Sequence, residues 1–185
     1  MDEKDCTIYE MLNEDGRKKI VEIAKVIGFS PPSTKERVEK LIKNKDIKVK
    51  ALLNVQKKKW KTAVCNIQVS SMEEALKLAD TFKNCPRVIF ATTMTGAYNL
   101  ILILVAKDTA VLESAIENGI RPVSSIKKLD ISIGEAPILP GFLDIRINPV
   151  SKEPPCGEKS CSECYLYERK CDGCPATIYW KGLRS

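Results

Sequence analysis

The chain has no histidine in its 185 residues. That removes the commonest proton shuttle at neutral pH, every Ser–His or Cys–His nucleophile pair, and any zinc site of mixed Cys/His ligation. There is no Gly-rich phosphate loop and no clear carboxylate pair, so the familiar routes to phosphoryl transfer or acid–base hydrolysis are missing as well. Long apolar runs are also absent. The longest, Leu100 to Ala106, is far short of the roughly 20 residues that cross a bilayer and reads instead as a buried strand. The N-terminus is acidic and polar with no apolar segment, which gives no signal peptide and points to a cytoplasmic protein without a membrane partner. At this length the chain can hold one core of good size or two small ones.

The first pattern of note spans Gly16 to Asn54. Ile20, Ile23, Ala24 and Ile27 recur at i, i+3, i+4 and i+7, one apolar helix face. Gly28 stops that helix, Ser30 is placed to cap the next, and Pro31 suits its first turn. Val38, Leu41 and Ile42 form the stripe of the second helix, which leaves Ser33, Thr34, Lys35, Arg37 and Lys40 facing outward or partly so. Ile8, Met11 and Leu12 supply a third helix beneath, and a short alternating strand follows. This is the layout of a winged helix-turn-helix, whose second helix enters the major groove of double-stranded DNA. Lys48 in the wing is a further candidate contact.

Charge falls on the same segment. Residues 1–61 carry 16 Lys or Arg and 10 Asp or Glu, a net +6, whereas residues 62–185 carry 14 of each. A basic module beside a neutral one suits a polyanionic partner, because phosphate contacts release counterions and supply most non-specific affinity. Lys57, Lys58 and Lys59 read as a solvated connector.

Beyond the connector the period changes. Strand 64–69, helix 72–82 capped by Ser71, strand 88–95, strand 98–106, a helix opened by Asp108 or Thr109, and strand 129–133 give the order βαββαβ of a ferredoxin-like fold. Leu100 to Val105 is apolar on both faces. Both helices cover one face only, so a second subunit is expected on the other, which predicts a homodimer or higher homo-oligomer. The architecture is therefore α+β: a winged helix-turn-helix over 1–54, a linker over 55–61, a ferredoxin-like domain over 62–147 and a Cys-rich module over 148–185.

On these residues the chain resembles the Lrp/AsnC (leucine-responsive, feast/famine) regulators over roughly residues 2–135. The resemblance is carried by Asp15-Gly16-Arg17, by EIAKVIGFS at Glu22 to Ser30, by Arg37-Val38 with Leu41, by Ile47, and by TGAYNLIL at Thr95 to Leu102. It implies a DNA-binding regulator whose second domain dimerises and binds an amino acid or related small-molecule effector between subunits, with Gly96, Tyr98 and Asn99 at the effector turn. Three departures stand out. Lys45 occupies the place of the usual Gly after the second helix, where Asn44 is expected to take the left-handed conformation. Asn99 replaces the usual Asp and removes a carboxylate from the effector turn. The chain also continues for about fifty residues past the fourth strand.

That extension begins with Leu143, Ile145 and Ile147 alternating as an added strand. It then gathers five of the eight cysteines in the spacing Cys156-x4-Cys161-x2-Cys164-x6-Cys171-x2-Cys174. Two CxxC pairs place thiolates on two tight turns, the pattern of a tetrahedral metal site. A segment this short has little core, so metal binding would supply its folding energy, about 10–16 kcal/mol in zinc peptides at neutral pH. Zinc is the first reading, held by Cys161, Cys164, Cys171 and Cys174 with Cys156 as alternate or spare. An iron–sulfur cluster is the alternative, since five cysteines exceed zinc's four and Cys174-Pro175 echoes the end of ferredoxin cluster runs. A disulfide module ranks third. Cys6, Cys65 and Cys85 read as isolated, and Tyr165, Tyr167, Tyr179 and Trp180 are expected to pack over the metal core.

The functional expectation is a DNA-binding transcriptional regulator, modulated by a small molecule or metal, and not an enzyme. The alternatives are an iron–sulfur redox-sensing regulator, a sirohaem decarboxylase of the kind found among Lrp-like proteins, and a chromatin protein that coats DNA without choosing sequence.

Overall fold

The computed structural model describes residues 1–157 and 160–182. The chain divides into two compact units, Met1–Ala51 and Leu52–Ser185.

The first unit contains helices α1 (Glu3–Glu14), α2 (Ile20–Ile27) and α3 (Pro31–Lys43). Asp2 and Asp5 start α1 with a reciprocal capping box, each carboxylate accepting the other's backbone N–H at 2.9 Å. Gly28 ends α2 in the left-handed conformation (φ 73°) and donates its N–H to the Ala24 carbonyl. Ser30 Oγ accepts the Ser33 N–H at 3.4 Å, which opens α3 with Pro31 in its first turn. Ile8, Ile23, Ile27, Val38, Leu41 and Ile47 close the core.

Two local expectations are corrected here. Asn44 is right-handed, and Lys45 takes the left-handed conformation at φ 64°. No wing strand forms among the described residues of this unit. Ile47 turns into the core while Val49 stays exposed, and the first strand residues, Leu53 and Asn54, pair with Leu143 and Phe142 in the second unit. A strand needs a partner edge, and the one this segment finds lies about ninety residues on.

The second unit runs β1 (Leu53–Asn54), β2 (Lys61–Gln68), α4 (Met72–Phe82), β3 (Val88–Thr93), β4 (Leu100–Ala106), α5 (Thr109–Gly119), β5 (Lys128–Gly134) and β6 (Phe142–Leu143). Strands β3-β4-β2-β5 form one antiparallel sheet in that order, the ferredoxin-like arrangement. Ser71 and Asp108 cap the two helices by accepting the Glu74 and Val111 N–H groups. Ala63, Cys65 and Ile67 of β2 and Leu100, Leu102 and Leu104 of β4 face the helices and meet Leu78, Phe82, Leu112 and Ile116.

The opposite sheet face is partly covered by the chain itself. Val55, Trp60 and Leu143 bury Val105, so the two ends of segment 55–61 are packed, while Lys57, Lys58 and Lys59 between them are exposed as expected. Farther along that face Phe90 is 49% exposed, and Val64, Ile101 and Ile103 are half-buried. The added strand is shorter than its alternation suggests and stops at Leu143.

The Cys-rich segment is not a separate module. It belongs to the second unit, and Cys156 and Cys171 pack against the ferredoxin-like core. Arg146 clamps the turn between α4 and β3, donating to the carbonyls of Lys83, of Cys85 at 3.1 Å and of Val88 at 3.0 Å. Ser151 and Ile178 are joined by a backbone hydrogen bond across the tail, and Lys107 pairs with Asp172.

Candidate functional site

On α3 the outward face carries Ser33, Lys35, Glu36, Glu39, Lys40 and Lys43. Lys35 lies 3.8 Å from Glu39 along the same face, an exposed pair that solvent screens. Lys48 is exposed beyond the helix. Thr34 does not face outward. It is fully buried and donates to the Ser30 carbonyl at 3.0 Å, because the helix turns it into the same face as Val38 and Leu41.

Arg37 is placed differently from its expected role. Its Nε donates to Asp5 Oδ1 at 2.6 Å and its Nη2 to Asp2, and its guanidinium stands 5.6 Å from the centre of the Phe29 ring. The side chain is only 25% exposed. The hydrogen bond from Arg37 holds the Asp5 carboxyl below the ordinary carboxylate range. For Asp2 the Asp5 backbone N–H is the larger cause and Arg37 the next favourable one. Arg37 thus ties α3 to the start of α1. Neither partner was legible from helical spacing, since they lie 32 and 35 residues away in sequence.

At the turn before β4, Gly96 has φ 136°, which favours glycine, and Lys128 places its ammonium 5.1 Å from the centre of the Tyr98 ring. Asn99 makes two hydrogen bonds to the backbone of Val69: its Oδ1 accepts the Val69 N–H at 2.9 Å and its Nδ2 donates to the Val69 carbonyl at 3.0 Å. Its side chain knits the end of β2 to the start of β4.

The tail's five cysteines converge, and a sixth joins them. Cys85, Cys156, Cys161, Cys164, Cys171 and Cys174 line one chamber of about 80 Å³, closed on its inner side by Phe82, Leu104 and Ile120. None of the six is in a disulfide. Three polar groups reach their sulfurs. Asn118 Nδ2 donates to Cys164 Sγ at 3.4 Å, Arg87 Nη2 stands 3.9 Å from Cys171 Sγ, and Thr177 Oγ1 lies 3.6 Å from Cys161 Sγ. Among the described residues, no three His, Cys, Asp or Glu side chains are drawn close enough to hold a single ion.

Cys85 touches Cys156. The hydrogen bond from Cys156, helped by the Arg87 and Val88 N–H groups and the Arg87 charge, pulls the Cys85 thiol down, while the same contact and burial push Cys156 up. Burial pushes Cys174 up to about 11. Tyr167 lines the chamber and donates its hydroxyl to the Tyr179 carbonyl at 2.9 Å, whereas Tyr165 points to solvent, 68% exposed. Sequence reading missed Cys85 because no spacing links it to a motif 71 residues downstream. Only the fold carries it there.

An exposed polar α3 on a helix-turn-helix, joined to a ferredoxin-like domain, defines a DNA-binding regulator with a separate sensing domain. A family model described as AsnC-type helix-turn-helix domain matches residues 1–42, and one described as Lrp/AsnC ligand binding domain matches residues 62–134. The two together match more than half of the chain, which belongs to the Lrp/AsnC family of transcriptional regulators. An HTH-type transcriptional regulator of Pyrococcus furiosus is 29% identical over 135 residues, 72% of this chain and 90% of the relative. Escherichia coli AsnC shares the fold with a TM-score of 0.61 at 20% identity, covering 84% of this chain and 98% of that one. A Neisseria meningitidis transcriptional regulator solved as its L-Met complex has a TM-score of 0.57 at 19% identity, covering 72% and 89%. Both family models end before the five cysteines of the tail begin.

Proposed function

We propose that this regulator reads operator DNA as a homodimer or higher homo-oligomer, through Ser33, Lys35 and Lys40 on α3 with Lys48 beyond it, and that a ligand of the second unit sets its affinity. The observation that carries this reading is the exposed α3 face within the part of the chain that matches the AsnC-type helix-turn-helix. Dimerisation uses the half-covered sheet face of Val64, Phe90, Ile101 and Ile103, and two-fold pairing matches half-sites one helical turn apart. The effector turn around Gly96 and Tyr98 takes a small molecule that is not a simple α-amino acid of the L-Met kind bound by the Neisseria relative, because Asn99 offers no carboxylate for its ammonium group. The Cys-rich tail binds a metal through its thiolates and is the second input.

The test compares binding to the DNA upstream of the chain's own coding region with random DNA at one fixed salt concentration. The regulator reading expects the upstream region to win by at least about a thousandfold. Equal affinity for both would identify a chromatin-like coat instead. Lys40→Ala should weaken binding to both DNAs alike and lower the salt slope by about one unit, as expected for one lost phosphate contact.

A further inference from the structure

We propose that the six-thiol chamber is an iron–sulfur cluster site whose ligand shell is shared between the tail and the ferredoxin-like domain, with Cys85 as the domain's ligand. This rests on the reading that the tail binds metal through its thiolates, and it goes on to name the metal's chemical class and a ligand outside the tail.

Size separates a cluster from a single ion. A tetrahedral zinc with Zn–S bonds of about 2.3 Å draws its four sulfurs to about 3.8 Å from one another and leaves no space between them. Here six cysteines, more than the four ligands of one tetrahedral ion, line a single chamber of about 80 Å³. An iron–sulfur cluster is a multi-atom body that fills such a space and holds its thiolates apart.

The surroundings also suit a cluster. Cluster sulfurs are stabilised by hydrogen-bond donors and by burial. Asn118 and Arg87 bring two such donors to Cys164 and Cys171. Phe82, Leu104 and Ile120 form an apolar inner wall, which limits access of water to that side. Arg87 adds one positive charge beside a centre whose thiolates are negative, and it is fixed in place by a 2.8 Å bond to the Gly173 carbonyl.

The position of Cys85 is built. Its carbonyl accepts from Arg146 and its N–H donates to the Phe82 carbonyl at 2.9 Å, so the backbone that presents the thiol is held on both sides. The side chain is buried and lines the same chamber as the tail cysteines. A cluster ligated by Cys85 and three of the tail cysteines would staple the tail onto the helix side of the domain.

The experiment purifies the full chain without oxygen, reconstitutes it with ferrous iron, sulfide and a thiol reductant, and measures iron, acid-labile sulfide and zinc together with visible absorption and electron paramagnetic resonance after reduction. The expected result is iron and sulfide in equal amounts with broad visible absorption. Cys85→Ser and Cys85→Ala, with folding checked by circular dichroism, should lose most of the iron or change the resonance signal, and Cys6→Ser on α1 should do neither. Colourless protein with one zinc per chain overturns the cluster while leaving the metal-binding tail intact. Protein that takes up neither metal overturns both. Full iron content with an unchanged signal in both Cys85 variants overturns the shared shell.

Discussion

Replacing Asn99 by aspartate restores the residue usual at this turn in the Lrp/AsnC pattern, yet here it should destabilise the chain. The Asn99 side chain makes two hydrogen bonds to one residue, accepting the Val69 N–H at 2.9 Å and donating to the Val69 carbonyl at 3.0 Å. Aspartate keeps the first and loses the second. The lost bond is worth about 0.5–1.5 kcal/mol, and leaving a half-buried carbonyl without its donor adds about 1–3 kcal/mol at the upper limit of full burial. A carboxylate oxygen facing the carbonyl is repulsive as well, so a total of about 2–3 kcal/mol follows. For a unit of this size that lowers the melting temperature by about 6–10 °C. The penalty depends on pH in a definite direction. Once protonated, the introduced carboxyl regains an O–H donor for the Val69 carbonyl, so folding raises its pKa above the unfolded value of about 3.9. The variant's relative stability is then fully present below the unfolded pKa and lost as pH rises through the folded one. Thermal melts of wild type and Asn99→Asp at pH 7 and near pH 4 should show a large gap at the first and a small one at the second. Equal melting temperatures at pH 7, or the same gap at both pH values, would refute the donor argument.

Lys45→Gly should stabilise the chain by about 0.5–1 kcal/mol in urea titrations, because the left-handed backbone costs a non-glycine residue about 1–2 kcal/mol and glycine returns part of the gain as unfolded-state entropy. Arg37→Ala should lower the melting temperature of the helical unit at pH 7, even without DNA, since it frees Asp2 and Asp5. Those carboxyls are held low, so their contribution is present above the unfolded pKa and lost as pH falls through the folded one. Acid melts of the variant should therefore lose less on acidification, and an unchanged acid profile would show that the ion pairs are not formed. Gly173→Ala should loosen the tail by about 3 kcal/mol or more, because its φ is 86° and an added Cβ would lie 2.6 Å from the Tyr179 carbonyl oxygen; limited proteolysis should then cut within residues 160–182.

What could be read from the chain alone was whatever rests on short-range order. Ser30, Ser71 and Asp108 cap helices because a side-chain oxygen beside a free N–H is a local event. Gly28 stops α2 for an equally local reason. The alternation through Cys65 and Ile67 marks β2 because the strand period is two. Long-range partners escaped. Cys85 looks like a spare thiol until the turn after α4 carries it under the tail. Arg37 looks like a groove-reading cation until α1 brings two carboxylates to it. Thr34 turned inward because one residue's rotation on a helix decides between faces, and an apolar stripe of three residues does not fix that rotation closely. The wing failed for want of a partner edge, which no local pattern reports.

The two input positions proposed for the second unit stand in contrast. At the turn before β4, Asn99 ties its amide to both backbone groups of Val69 and offers no carboxylate. At the chamber the reverse holds: six thiols gather without a disulfide, with polar groups beside three of them. Phe82, Leu104 and Ile120 belong both to the chamber wall and to the main core. Leu104 sits on β4, the strand whose other face carries Ile103 and Ile101 to the half-covered side of the sheet. Close-packed interiors transmit such changes with little give. If the proposed cluster occupies the chamber, filling or emptying it acts on β4, the strand whose other face carries the half-covered residues proposed for dimerisation.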